Sequence, residues 1–115
     1  MFKVLKYRRP DGEVPFDLFV LEVRAEGKRG LVKVQRVIDA LRERGFELLT
    51  ILLLKKIEDD IYELRPQPYR VLVYWSDSHQ AFFLLNGFRK RSQKLPRAEL
   101  DQARRLRDEL LMEGP

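Results

Sequence analysis

At 115 residues, 44% of them hydrophobic and 36% charged, the chain is long enough for one domain with one core and too short for two. It has no cysteine and a single histidine, which excludes disulfides, thiolate metal sites and a histidine-built metal centre and fits a reducing cytoplasm. A formal charge of +5 with a pI of about 9.7 points to a polyanionic partner, nucleic acid first among them.

Phe2 to Arg8 alternates in β-forming residues and predicts a first strand. Pro10-Asp11-Gly12 follows as a turn, with proline fixing φ and Asp-Gly tolerating tight geometry. Val14 to Arg24 predicts a helix, with Pro15 in its first turn and Phe16, Phe19, Val20 and Val23 on one face. Gly27 to Gly30 is expected to break it. Leu31, Val34, Val37, Ile38 and Leu41 then recur at helical spacing, with Lys33, Arg36, Asp39, Arg42 and Glu43 outside, and Gly45 ends this second helix. Two helices joined so tightly form a hairpin whose apolar stripes need a sheet to cover.

Phe46 to Lys56 leaves two readings open, a buried strand or an apolar connector, because periodicity does not separate them in so short a run. Three strands are predicted next, Ile61 to Arg65, Tyr69 to Trp75 and Ala81 to Phe88, with Ser76 to Gln80 as a hairpin loop. In the middle strand Tyr69, Val71, Val73 and Trp75 point one way and Arg70, Leu72 and Tyr74 the other. A strand apolar on both sides belongs in the middle of a sheet covered on both faces. Leu95-Pro96 starts a last helix, with Leu100, Ala103, Leu106 and Leu110 inside. Arg104, Arg105 and Arg107 alternate with acids there, the pattern of a solvated face with internal pairs. The fold class is therefore α+β.

Met1 to Tyr7 lacks a signal-peptide core, and Leu48 to Leu54 is too short to span a bilayer, so no membrane partner is expected. The cations gather at one end of the predicted sheet. Arg65 and Arg70 flank Pro66-Gln67-Pro68, and Arg89, Lys90, Arg91 and Lys94 follow the third strand with no acid between them. Arginines here fit phosphate, being permanently charged and able to fork onto two oxygens. Tyr74 and Trp75 read as core aromatics rather than base-stacking platforms, and His79 as an ordinary turn residue.

The ordered set Tyr62-Glu63-Leu64-Arg65, Tyr69-Arg70-Val71-Leu72-Val73-Tyr74 and Leu85-Asn86-Gly87-Phe88-Arg89-Lys90-Arg91-Ser92-Gln93-Lys94-Leu95-Pro96 resembles the phage-derived HigB-like branch of the RelE toxin superfamily of type II toxin–antitoxin systems. The likeness continues into the charged helix from Glu99 to Leu110. It implies a small twisted, mainly antiparallel sheet in the order β-α-α-β-β-β-α, with the helical hairpin on one face and a C-terminal helix. It also implies a cytoplasmic mRNA endoribonuclease that cleaves translated messages at the ribosome by metal-independent 2′-OH attack, with no cofactor. The partners implied are mRNA, the ribosome and a cognate antitoxin carrying a helix-turn-helix domain.

Carried onto this chain, the family pattern makes Arg65, Arg70 and Lys90 the catalytic set, and Arg89, Arg91, Gln93, Lys94 and Asn86 substrate-binding. Asn86 stands where many relatives carry histidine, which leaves acid–base work to Lys90, Tyr69 or Tyr74. Two other functions follow from the same fold, a non-cleaving RNA- or ribosome-binding module and a gyrase-inhibiting relative.

Overall fold

The computed structural model describes residues 1–113. Its elements are β1 (Lys3–Lys6), α1 (Pro15–Glu26), α2 (Lys28–Arg44), a 3-10 segment (Gly45–Leu49), β2 (Leu54–Lys56), β3 (Ile61–Leu64), β4 (Tyr69–Ser76), β5 (Ala81–Arg89) and α3 (Arg97–Glu113). The strands form one mixed sheet in the order β1-β5-β4-β3-β2. Only β1 runs parallel to its neighbour β5, and the other pairs are antiparallel. The expected α+β class and element order hold, with a short edge strand added.

That extra strand comes from the stretch with two open readings. The run from Leu48 to Leu54 is neither a single strand nor a connector. Leu48 is buried in the 3-10 segment, Leu52 turns the chain at a φ of 60°, and Leu54 alone of β2 is buried. Periodicity has nothing to work with when three local structures share so few residues.

β4 occupies the middle and is covered on both faces. Tyr69, Val71 and Val73 join Phe16, Phe19 and Val23 of α1 and Val34, Ile38 and Leu41 of α2 in the larger core. Leu72 and Tyr74 join Ala103, Leu106 and Leu110 of α3 in the smaller one. Trp75 is half-buried against the first core, with ring centroids 4.8 Å from Phe82 and 5.1 Å from Phe46. Both aromatics are thus core, as read from the strand pattern. His79 is a turn residue, its Nδ1 2.9 Å from Ser76 Oγ.

The helical hairpin turns at Gly27 alone, at a φ of 130°, and not across Gly27 to Gly30. Gly30 lies inside α2, where a Cβ would stand 2.9 Å from Val23 Cγ1 and 3.0 Å from the Tyr69 hydroxyl. Its smallness serves the packing of α2 against α1 and the sheet. Gly87 does the same on β5, since a Cβ there would meet the Phe19 ring at 2.5 Å.

β5 carries a bulge. Val71 pairs with Gly87 and Val73 with Leu84, so Leu85 and Asn86 together stand opposite the single Leu72. The extra residue puts Asn86 on the same side as Leu85, toward α3.

α3 is pinned by ion pairs beyond its own length. Arg104 pairs with Glu58, and with Asp101 at 3.2 Å. Arg107 reaches Asp60 at 2.9 Å and Glu58 at 3.5 Å, besides Asp108 at 3.0 Å. Two of the arginines read as a solvated face with internal pairs, Arg104 and Arg107, therefore also clamp α3 to the β2–β3 turn. The Arg104 hydrogen bond, with the Arg104 and Arg107 charges, outweighs burial and holds the Glu58 carboxyl below its ordinary value.

A carboxylate held low stabilises the fold fully above the ordinary glutamate value of about 4.3 and ceases to do so as pH falls through its lowered one. Glu58→Gln is accordingly expected to cost about 1 kcal/mol at pH 7, the scale of a partly exposed pair network. The difference from wild type should shrink toward zero in denaturant titrations carried below that range. Gly87→Ala is expected to cost about 1–3 kcal/mol by overpacking, read as a lowered denaturation midpoint with an unchanged slope.

Candidate functional site

One end of the sheet, on the α3 side, carries a small cleft lined by Glu63, Arg65, Arg70, Phe88, Lys90, Ser92, Gln93, Lys94 and Leu95. The turn at Pro66-Gln67-Pro68 brings its two halves together, because the Lys90 amide donates to Pro68 O at 2.8 Å and the Tyr69 amide to Pro66 O at 2.8 Å. Glu63 and Arg65, two apart at the end of β3, share one face, and Arg70 joins them from β4.

Glu63 is the pivot. Its carboxylate is buried at 5% exposure and accepts from Arg65 Nε at 2.9 Å. Arg70 Nε lies 3.6 Å from the same oxygen. Arg70 is itself only 3% exposed and donates from Nη1 to its neighbour's backbone, Tyr69 O, at 2.9 Å. Burial pushes the Arg70 guanidinium down from its ordinary value, and Arg65 adds repulsion that the Glu63 charge opposes. With Lys90 and Lys94 above, four cations surround one carboxylate, a formal excess of three. An anion with a forked oxygen geometry fits such a wall.

The other predicted residues face elsewhere. Arg89, the last residue of β5, and Arg91, just beyond it, turn to the α1 side. There they border a cleft of about 460 Å³ between α1, the end of β5 and the start of α3. Arg89 Nη1 donates to Glu26 at 2.8 Å and its guanidinium stands 5.7 Å over the Tyr69 ring. The Tyr69 hydroxyl donates to the same Glu26 oxygen. That hydrogen bond is the main reason the Glu26 carboxyl sits below its ordinary value and the Tyr69 phenol above its own.

Asn86 also belongs to this second cleft, and it is buried at 4% exposure. Its Nδ2 donates to Glu99 O and to Glu99 Oε1, both at 3.0 Å.

Of the residues named from sequence, Arg65, Arg70, Lys90, Gln93 and Lys94 come together, while Asn86, Arg89 and Arg91 form a separate group across the β5–α3 connection. Tyr69 and Tyr74 do not reach the first cleft. Tyr69 is bound to Glu26 with its phenol made less acidic, and Tyr74 is buried in the α3-side core. Lys90 alone of the three acid–base candidates stands beside Arg65 and Arg70.

The spacing of Glu63 from Arg65, two residues along the chain, is a usable signal for a same-face pair. Removing one partner of a buried ion pair strands the other charge, at a cost of roughly 3–5 kcal/mol. Glu63→Ala is expected to lose about that much stability in chemical denaturation, and Arg65→Ala, at the more exposed partner, less than 1 kcal/mol or so.

Among the described residues no helix is long and apolar enough to cross a membrane. No curated protein matches the chain significantly. The family model described as Phage derived protein Gp49-like (DUF891) matches residues 22–108, from the middle of α1 to near the end of α3 and through both clefts. The chain belongs to this phage-derived Gp49-like family, a RelE/HigB-like toxin family of toxin–antitoxin systems.

Proposed function

We propose that this chain is the toxin of a type II pair and acts as an mRNA endoribonuclease on translated messages, without a metal ion. The observation that supports this most is the wall of Arg65, Arg70, Lys90 and Lys94 around Glu63. Cleavage of RNA by its own 2′-OH requires a phosphorane with added negative charge to be stabilised and the departing 5′ oxygen to be protonated. Arg65 grips the scissile phosphate from the rim, and Arg70 contributes its charge from the floor of the cleft. Lys90 gives a proton to the 5′ oxygen as the P–O5′ bond breaks and the 2′ oxygen bonds to phosphorus. Lys94 and Gln93 hold the flanking strand.

The Glu63 carboxylate is engaged by two arginines, so the 2′-OH proton passes to water and the rate relies on positioning. A message held in the ribosomal decoding site supplies that positioning. Binding of RNA is expected to weaken linearly on a log–log salt plot. A cognate antitoxin with a helix-turn-helix domain neutralises the protein by covering this basic surface.

A second reading has its own support. Asn86 stands at the family's histidine position and is tied to Glu99, and the one histidine lies at the β4–β5 turn, outside the first cleft. A non-cleaving module that binds RNA or the ribosome would have this composition.

Primer extension on a defined message in a reconstituted translation reaction separates the two. New 5′ ends inside the reading frame are expected with wild type, falling by roughly 10²-fold or more in Arg65→Ala and Lys90→Ala, the scale of losing one charge-stabilising donor. Unchanged cleavage by a folded Arg70→Ala, Lys90→Ala double variant would overturn the assignment. Intact RNA binding with no new ends in wild type would favour the binding module.

A further inference from the structure

β2 is three residues long, lies at the edge of the sheet, and two of its three residues are the exposed Lys55 and Lys56. Lysine on an edge strand ordinarily keeps another strand from pairing there, and that accounts for both. What separates them is the face each one occupies.

Lys55 stands opposite Glu63 and Lys56 opposite Tyr62, and directly opposed residues share a face of the sheet. Lys55 therefore lies on the side of Glu63, Arg65 and Arg70, one strand beyond the cleft. Lys56 lies on the side of Tyr62, which packs into the core under the helical hairpin. The edge is also fastened to the cleft's own arginine, because the Arg65 amide donates to Leu53 O at 2.9 Å. Strand spacing and rise put the Lys55 backbone about 8 Å from that of Arg65. Glu63 is engaged by Arg65 and Arg70, and toward the turn Glu58 and Asp60 are engaged by Arg104 and Arg107. The Lys55 ammonium is thus left in water, on the cationic face and beside the arginine at the rim.

We infer that Lys55 is a further RNA-binding residue, holding the backbone phosphate next to the one that Arg65 grips. Lys94 and Gln93 take the strand on one flank of the cleft and Lys55 takes it on the other. The RNA then crosses the end of the sheet from the β5–α3 connection to the β2 edge. A lysine suits the flank, since it meets a phosphate as a point charge, while the forked contact stays with arginine. The inference rests on the reading of this cleft as an RNA site and does not require cleavage.

The test measures binding of a short fluorescein-labelled RNA to the full chain over a range of salt concentrations. The RNA is 2′-O-methylated throughout, so no 2′-OH is available for attack and binding is read apart from cleavage. Loss of one phosphate contact to a single strand makes the log–log salt dependence shallower by about 0.7, or about fivefold in affinity near 0.1 M salt. Lys55→Ala is expected to show that change and Lys55→Arg to keep the wild-type slope. Lys56→Ala, which removes the same charge from the same strand, is expected to leave the slope unchanged. The comparison cancels net charge and edge exposure and isolates the face.

A wild-type slope in Lys55→Ala, or equal losses in Lys55→Ala and Lys56→Ala, overturns the inference. If Arg65→Ala and Lys90→Ala flatten the slope while Lys55→Ala does not, the cleft stands as an RNA site and only Lys55 falls. Wild-type protein that binds without salt dependence, or not at all, sinks the reading of the cleft itself and Lys55 with it.

Discussion

Burial of β4 on both faces is the constraint from which the rest follows. A strand with Val71 and Val73 on one side and Leu72 and Tyr74 on the other must lie inside a sheet and be covered twice. The helical hairpin covers one face and α3 the other. With both faces taken, only the ends of the sheet are left for polar chemistry. At one of them Arg70 leaves the apolar register and meets Glu63, and the cationic cleft forms there.

A buried Glu63–Arg70 pair contributes little net stability, because desolvating two charges offsets their attraction. Its effect is geometric. Glu63 fixes Arg65 at 2.9 Å and Arg70 at 3.6 Å around one oxygen, so the cation array needs little ordering when an anion arrives. The β5–α3 connection then divides the remaining polar residues. Lys90 and Lys94 go to the Glu63 side, and Arg89, Arg91 and Asn86 to the Glu26 side. One basic run in sequence thus serves two clefts of different character, one with four cations around a single carboxylate and one bordered by several carboxylates.

Much of this was legible in the residues. The two-sided pattern of β4, the stripes of α1, α2 and α3, and the cap at Gly45 came directly from spacing. The grouping of Arg65, Arg70 and Lys90 followed from the family resemblance of the ordered motifs. The separation of Arg89 and Arg91 from Lys90 was not there to be read, because Lys90 and Arg91 lie beyond β5, where strand alternation does not apply.

Asn86 was not legible, because the bulge at Leu85-Asn86 reverses the parity of β5 and only the register with Leu72 reveals it. The geometry of the Glu63–Arg70 contact depends on cross-strand packing. β2 escaped because one buried leucine is too little pattern. The clamps from Arg104 and Arg107 to Glu58 and Asp60 join residues more than forty positions apart, beyond the reach of a local reading of charge.

The measurement that bears most directly on the central claim is the chemistry of the ends that the protein leaves on RNA. Message recovered from a translation reaction run with the wild-type protein would be analysed by mass spectrometry at each new terminus. Attack by the 2′-OH at the Arg65–Lys90 cleft predicts a 2′,3′-cyclic phosphate on one fragment and a 5′-hydroxyl on the other. Fragments bearing 5′-phosphate and 3′-hydroxyl would contradict it, since those ends come from attack by water.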